Sequence, residues 1–162
     1  FILKKYSLSA IEGGNNFDEK MGIINDEYNR TIEYFGEYMP PTLLFSRIDE
    51  HGDPEILVAQ DIVAGPQLKD LMENHKALNQ PITTEMRMSV QQILLSCIRM
   101  HEETGYVLDF DLIFDFENNT VQVFDFGSQG KTHYWNSDAM EKLKEMDIQI
   151  PNELDLGSLD LT

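Results

Sequence analysis

The passage from Val107 to Gly127 constrains this chain more than any other. It reads Val107-Leu108-Asp109-Phe110-Asp111-Leu112-Ile113-Phe114-Asp115-Phe116, then Glu117-Asn118-Asn119-Thr120, then Val121-Gln122-Val123-Phe124-Asp125-Phe126-Gly127. Two β-rich runs about an Asn-Asn turn predict a hairpin. Asp109, Asp111, Asp115 and Asp125 fall within 17 residues, among five phenylalanines. Carboxylates gathered in so apolar a setting repel one another in a low dielectric, which is tolerated where they hold a divalent cation or where one stays protonated. Magnesium suits such a place, since it takes one or two carboxylates together with phosphate oxygens. Strand alternation assigns Asp115 to the solvated face of the hairpin.

The rest of the chain supplies short strands and amphipathic helices. Phe1 to Tyr6 reads as a strand and Ser9 to Asn16 as a glycine-containing loop. From Phe17 to about Tyr38, Met21, Ile24, Tyr28, Ile32 and Phe35 mark one face of a helix closed by Pro40-Pro41. Thr42–Ile48 and Glu55–Ile62 predict two strands about a polar turn. Ala64-Gly65-Pro66 interrupts the chain before a short helix carrying Leu68 and Leu71. A long helix follows, capped by Thr83 or Thr84 and ending at Gly105. Ser137 to Met146 predicts one more helix, and Pro151 to Thr162 an extended or disordered acidic tail. Local strand pairs with segregated helices give an α+β class. The expected division is 1–62, 63–146 and an acidic tail over 147–162.

With 12 Lys+Arg against 29 Asp+Glu, the net charge is −17. That balance excludes nucleic acid, whose binding runs on clustered cations, and disfavours anionic membrane surfaces. Any polyanionic ligand would need local cations or metal ions against this field. The single Cys97 excludes a disulfide framework or a thiolate zinc cluster. No apolar run approaches membrane-spanning length, and no leader with a basic start is visible. A cytoplasmic location is expected, or delivery into a host cytoplasm if the chain is an effector. Nothing in the sequence fixes an oligomeric state. The chain opens on Phe1 within a strand, so a preceding segment is expected. His51, His75 and His133 share no metal-ligand spacing with each other or with Cys97, and His101 is expected as a helix-end or core histidine; Trp135 is expected to pin the C-terminal helix, and Met86, Met88 and Met100 to fill the core.

Asp125-Phe126-Gly127, preceded by apolar Val121, Val123 and Phe124, resembles the metal-binding motif that follows a hairpin in the protein-kinase fold. Its surroundings are similar to that family in the same order. Phe1-Ile2-Leu3-Lys4 resembles the strand bearing the phosphate-contacting lysine, with Lys5 as the fallback. Phe17 to Tyr38 resembles the helix that supplies its glutamate partner, best matched by Glu27, with Glu19 as the alternative. Ile56 to Gly65, then Leu68 and Leu71, is similar to the strand, hinge and helix that hold adenine, with Gln60, Asp61 and Ile62 at the hinge. Arg99 to Val107 resembles the helix and lead-in to the catalytic loop. The resemblance spans Phe1 to about Ser128.

The resemblance implies a divergent, minimal kinase of bacterial or effector type, with a partial strand-and-helix N-terminal lobe and a reduced, mostly helical C-terminal lobe carrying the hairpin. It implies ATP and Mg2+ as cofactors, Lys4 on the phosphates, Asp125 and Asp111 on the metal, and Asp109 as the base. The chain departs from the family in its catalytic loop, about four residues short between the Asp109 and Asp111 matches. It also lacks a glycine-rich phosphate loop and an Ala-Pro-Glu segment. The implied activity is phosphate transfer to a protein or small-molecule hydroxyl. The alternative is a pseudokinase that keeps the fold as a binding or regulatory module. A third reading is an acidic α+β interaction domain docking on a basic protein partner.

Overall fold

A computed structural model describes residues 1–11, 13–74, 77–105, 110–124 and 137–155. The elements are β1 (Ile2–Tyr6), α1 (Phe17–Phe35), β2 (Thr42–Ile48), β3 (Pro54–Gln60), α2 (Leu68–Glu73), α3 (Thr84–Thr104), β4 (Asp111–Asp115), β5 (Thr120–Phe124), α4 (Ser137–Glu145) and α5 (Asn152–Asp155). The class is α+β, with a three-stranded antiparallel sheet of order β1-β3-β2 and a separate β4-β5 hairpin. β3 takes the centre because Ile56, Leu57 and Val58 are apolar on both faces and buried on both. The register sets Ile2 and Thr42 against Gln60, and Lys4 against Val58. Alternation therefore places Ile2, Lys4, Tyr6, Val58 and Gln60 on one face. That face carries α1, whose Ile24 is buried against Ile56 with Tyr6, Met21 and Leu44 around them. On the opposite face Lys5 and Arg47 close on the buried Glu55 carboxylate at 2.5 Å each, and together they hold it below the usual carboxylate range.

Asn16 caps α1 by accepting the Glu19 N–H at 3.0 Å, while the Glu19 carboxylate accepts the Asn15 N–H. This reciprocal cap commits Glu19 to the helix start, remote from the role of lysine partner. The helix ends at Phe35, short of Tyr38, and a 3-10 turn spans Gly36–Tyr38. The expected apolar stripe is also displaced: Ile32 is 49% exposed, while Thr31, Tyr34 and Phe35 are buried. The last turn has left the sheet for a second core. Phe35 meets Phe110 with ring centroids 4.9 Å apart, the Tyr34 hydroxyl donates to the Glu103 carboxylate, and Arg99 lies over the Tyr34 ring and donates to the Glu33 carbonyl.

The second core is built on α3, capped by Thr83, whose hydroxyl accepts the Met86 N–H, and closed by Gly105 in the left-handed region. Met86, Val90, Ile93, Leu94, Cys97 and Met100 are buried, and the hairpin lays Leu112, Phe114, Val121 and Val123 on them. Burial pushes the Cys97 thiol up, so it packs as a small apolar group. Met88 departs from expectation, facing solvent at 58% exposure. Segment 65–67 runs along the other edge of β4: Phe114 donates its N–H to the Pro66 carbonyl, and Gln67 bridges Ile113. A Cβ on Gly65 would lie 2.1 Å from the Phe114 carbonyl oxygen, so only glycine allows the approach.

Residues 147–155 of the expected acidic tail are structured, and 156–162 lie outside the described residues. After α4, Ile148 and Ile150 are buried, α5 forms, and Leu154 is buried in the same core. Three aliphatic side chains at this spacing outweigh the solvation of Glu153 between them and of the flanking Asp147 and Asp155. Ile148→Ala and Leu154→Ala should each lower stability by about 2–4 kcal/mol in urea unfolding. An unchanged midpoint for both would refute docking of this segment.

Candidate functional site

A cleft opens where the sheet, α1 and the hairpin meet. Its walls are Ile2, Lys4 and Tyr6 from β1, Val58 and Gln60 from β3, Tyr28 from α1 and Phe124 from the end of β5. The strand residues arrive there through the two-residue alternation, and Tyr28 through its place on the inner face of α1. Phe124 arrives because the hairpin, held on α3 by its other face, ends at this point. The described walls carry one cation, Lys4, and no carboxylate. On a chain of net charge −17, that is the composition of a slot able to accept an apolar ring and a neighbouring anion.

Polar groups at the far end are tied together. Gln60 donates its amide to the Thr42 hydroxyl at 3.0 Å, and Thr42 donates to the Pro40 carbonyl. Desolvation is the main cause of the raised Tyr28 pKa. The expected hinge residues separate. β3 stops at Gln60, two residues before the predicted strand end: the Asp61 N–H still meets the Pro41 carbonyl at 2.9 Å in register, but Pro41 has no N–H to return the bond. Gln60 reaches the cleft, whereas Ile62 is 63% exposed outside it.

Glu27 sits one residue before Tyr28 and is half-buried. Desolvation raises its pKa to about 7, and the cation that opposes this is Arg30 on the same helix, not Lys4. The expected Lys4–Glu27 pair is thus not what sets the charge of Glu27 here. Asp111 stands opposite Phe124 in the hairpin register. It is 5% exposed, and its Oδ1 accepts the Lys69 N–H at 3.1 Å and its neighbour Leu112 N–H at 2.7 Å. It therefore caps α2, whose own N-cap residue Gln67 makes no side-chain bond. Asp115, expected in solvent, is equally buried; it accepts the Asn118 N–H and side-chain amide and closes the hairpin turn, with Asn119 in the left-handed region. Asp109 and Asp125, together with His75, His133 and Trp135, lie outside the described residues. Among the described residues no three His, Cys, Asp or Glu gather to hold a metal.

Comparison with known proteins returns no matching family model, no similar curated protein and no similar solved structure. Among the described residues no helix is long and apolar enough to cross a membrane.

Thr42 and Tyr28 were not candidates on sequence grounds. Tyr28 reads as one more position of the apolar stripe, and Thr42 as the first residue of a strand. Only their convergence on Gln60 separates them from core.

The raised pKa of Glu27 has a definite sign. Its folded value lies above that of the unfolded chain, so its contribution favours folding below pH about 4.5 and is lost as pH rises through about 7. Glu27→Gln should therefore leave stability unchanged at pH 4 and raise it at pH 8. With the charge half-solvated, the gain is on the order of 1 kcal/mol, or a Tm rise of roughly 2–4 °C. Equal shifts at both pH values would contradict a desolvated carboxyl.

Proposed function

We propose that this chain is a divergent, kinase-like nucleotide-binding protein whose ligand is ATP carried with Mg2+. The observation that carries this reading is the cleft itself. Lys4, the strand lysine of the resemblance, shares it with Gln60 of the expected hinge, with Tyr28 beside Glu27, and with Phe124 immediately before Asp125. These four come from separate stretches of the chain, and a chance tripeptide would not bring the other three to it.

The residues fit a nucleotide in chemical kind. Val58, Ile2 and Phe124 offer apolar surface for a base, Gln60 a polar edge, and Lys4 a charge for phosphate oxygens. For the metal, Asp111 and Asp125 would be the protein ligands, a pair sufficient for magnesium because phosphate oxygens and water fill its other positions. Bound magnesium would neutralise phosphate charge that the acidic chain otherwise repels. Lys4 would orient the phosphates, Gln60 and Val58 the base, and Asp109 would be the group placed to take a proton from an acceptor hydroxyl.

One observation favours the second reading, a pseudokinase without transfer. Five residues, 106–110, connect the Gly105 cap to β4, and Asp111 Oδ1 is already committed to two backbone N–H groups. A carboxylate used as a helix cap is poorly placed to change partners during a reaction. The nucleotide would then act as a structural ligand bridging the sheet and the hairpin.

Mg-ATP at a hundredfold excess over its Kd should raise stability by roughly 2.7 kcal/mol, seen as an upward Tm shift. Lys4→Ala and Asp125→Ala should each weaken binding at least tenfold by calorimetry. No Tm shift and no calorimetric heat in the unmodified chain would overturn the proposal. Phosphate release or transfer that Asp109→Ala abolishes decides for the enzyme, and binding without transfer decides for the pseudokinase.

A further inference from the structure

The polar end of the cleft carries a short chain of hydrogen bonds whose direction is fixed from one end. Pro40 supplies a carbonyl, which can only accept, so the Thr42 hydroxyl gives it its proton across 2.6 Å. Having donated, the Thr42 oxygen has only lone pairs left to offer. The Gln60 amide, 3.0 Å away, therefore meets it with nitrogen and not with oxygen. A glutamine amide can in general present either end by a half-turn about its last bond. Here that turn would set the Gln60 carbonyl against the Thr42 lone pairs and lose the bond. One orientation is selected.

The consequence falls inside the cleft. Gln60 has Thr42 of β2 on one side in the register and Ile2 of β1 on the other. The cleft takes Ile2, Lys4 and Tyr6 from β1 and Val58 and Gln60 from β3, and no wall residue from β2. The amide nitrogen is thus committed to the side away from the cleft. The carbonyl oxygen, on the other branch of the same carbon, stays with the lining. Among the described residues that oxygen accepts no bond, yet it is not sealed in as the unpaired Gln122 oxygen is. Its neighbours on the same face, Ile2 across the strand pair and Val58 two residues back, have no side-chain hydrogen-bonding group. A flat ring seated on Ile2 and Val58 meets at its edge an acceptor that is held as an acceptor.

We infer that Gln60 selects the base. The cleft takes a purine with an amino group at the six-position, which donates to the Gln60 carbonyl, over one with an oxygen there, which would face it lone pair to lone pair. The inference rests on the nucleotide reading of the same cleft. It adds the discriminating residue and the relay from Pro40 through Thr42 that keeps the discriminating atom an oxygen. Thr42 does not line the cleft and acts through Gln60, as a positioning residue. An acceptor covered by a second acceptor loses its bond to water and gains none, so such a site rejects the wrong edge more strongly than an apolar wall can.

Calorimetric titration with Mg-ATP and Mg-ITP tests this, because the two nucleotides share ribose and phosphates and differ in the amino or oxo group with its ring proton. The unmodified chain should bind Mg-ATP roughly tenfold tighter or more. Thr42→Val keeps the branched shape of a strand residue and removes the hydroxyl. The amide can then turn, and the ratio of the two Kd values should shrink at least about threefold, with Mg-ITP gaining affinity. Gln60→Leu should bring Mg-ATP towards the Mg-ITP value. The ratio is the readout, since a merely structural role, checked by the Tm of each variant without nucleotide, would move both Kd values together. Equal affinity for the two nucleotides in the unmodified chain overturns the inference and leaves the nucleotide reading standing, as does a ratio unchanged in both variants. A ratio that falls in Gln60→Leu but not in Thr42→Val overturns the relay. Binding of neither nucleotide overturns the nucleotide reading and this inference with it.

Discussion

A carboxylate can be buried in an apolar hairpin only where N–H groups are waiting for it, and much of this structure is arranged around meeting that condition. Asp111 receives two N–H groups, one from its own strand and one from the start of α2. For the second to be in reach, α2 must begin against β4. That in turn requires segment 65–67 to lie along the β4 edge, which only a glycine at position 65 permits. The hairpin, the break before α2 and the orientation of α2 are thus one solution to one electrostatic problem. Asp115 solves the same problem locally, through the turn that it closes. Removing the Asp111 carboxylate would leave the half-buried Lys69 N–H at the start of α2 without this cap.

The second organising element is α1, which belongs to both cores. Its Ile24 packs on the sheet, whereas Tyr34 and Phe35 pack with α3 and Phe110. The bonds from Tyr34 to Glu103 and from Arg99 to the Glu33 carbonyl fix the C-terminal end of the helix on α3. The Glu103 carboxylate, accepting the hydroxyl proton, and the loss of solvation push the Tyr34 phenol up to about 12. The cleft is therefore a gap whose two sides are joined by one helix. A ligand filling it would touch β1, β3 and Tyr28 on one side and Phe124 on the other, and would couple the two cores by contact with both.

How much of this was legible in the sequence follows from which effects are local. Helix spacing, the Thr83 cap, the Gly105 stop and the Asn-Asn turn are all written within a few residues, and the structure agrees with them. The ends of the elements moved where tertiary contacts intervened. α1 stops at Phe35 because its last turn changes cores, and β3 stops at Gln60, where the opposite Pro41 has no N–H with which to continue the ladder. The burial of Ile148, Ile150 and Leu154 was obscured by acidic neighbours, since composition averages over residues that alternate between core and solvent. For the site, Lys4 and Gln60 were legible individually as strand positions. Their convergence with Tyr28 and Phe124 depends on strand register and on the seating of the hairpin, which no local pattern encodes.

The acidity that dominates the composition resolves into separate physical roles. Asp111 and Asp115 are buried acceptors for backbone N–H groups, and Glu55 is enclosed by two cations. Glu19 and Asp18 sit at the start of α1, where the helix dipole favours negative charge. Near α2 and α4, Glu73 pairs with Lys69 and Glu145 with Lys142, and Asp70 accepts the Asn74 amide. The cleft between the sheet, α1 and the hairpin has none among its described walls and keeps Lys4. A concavity whose described walls are uncharged groups and one lysine is a local exception in a chain of net charge −17, and an anion would meet less repulsion there than at a wall lined by carboxylates.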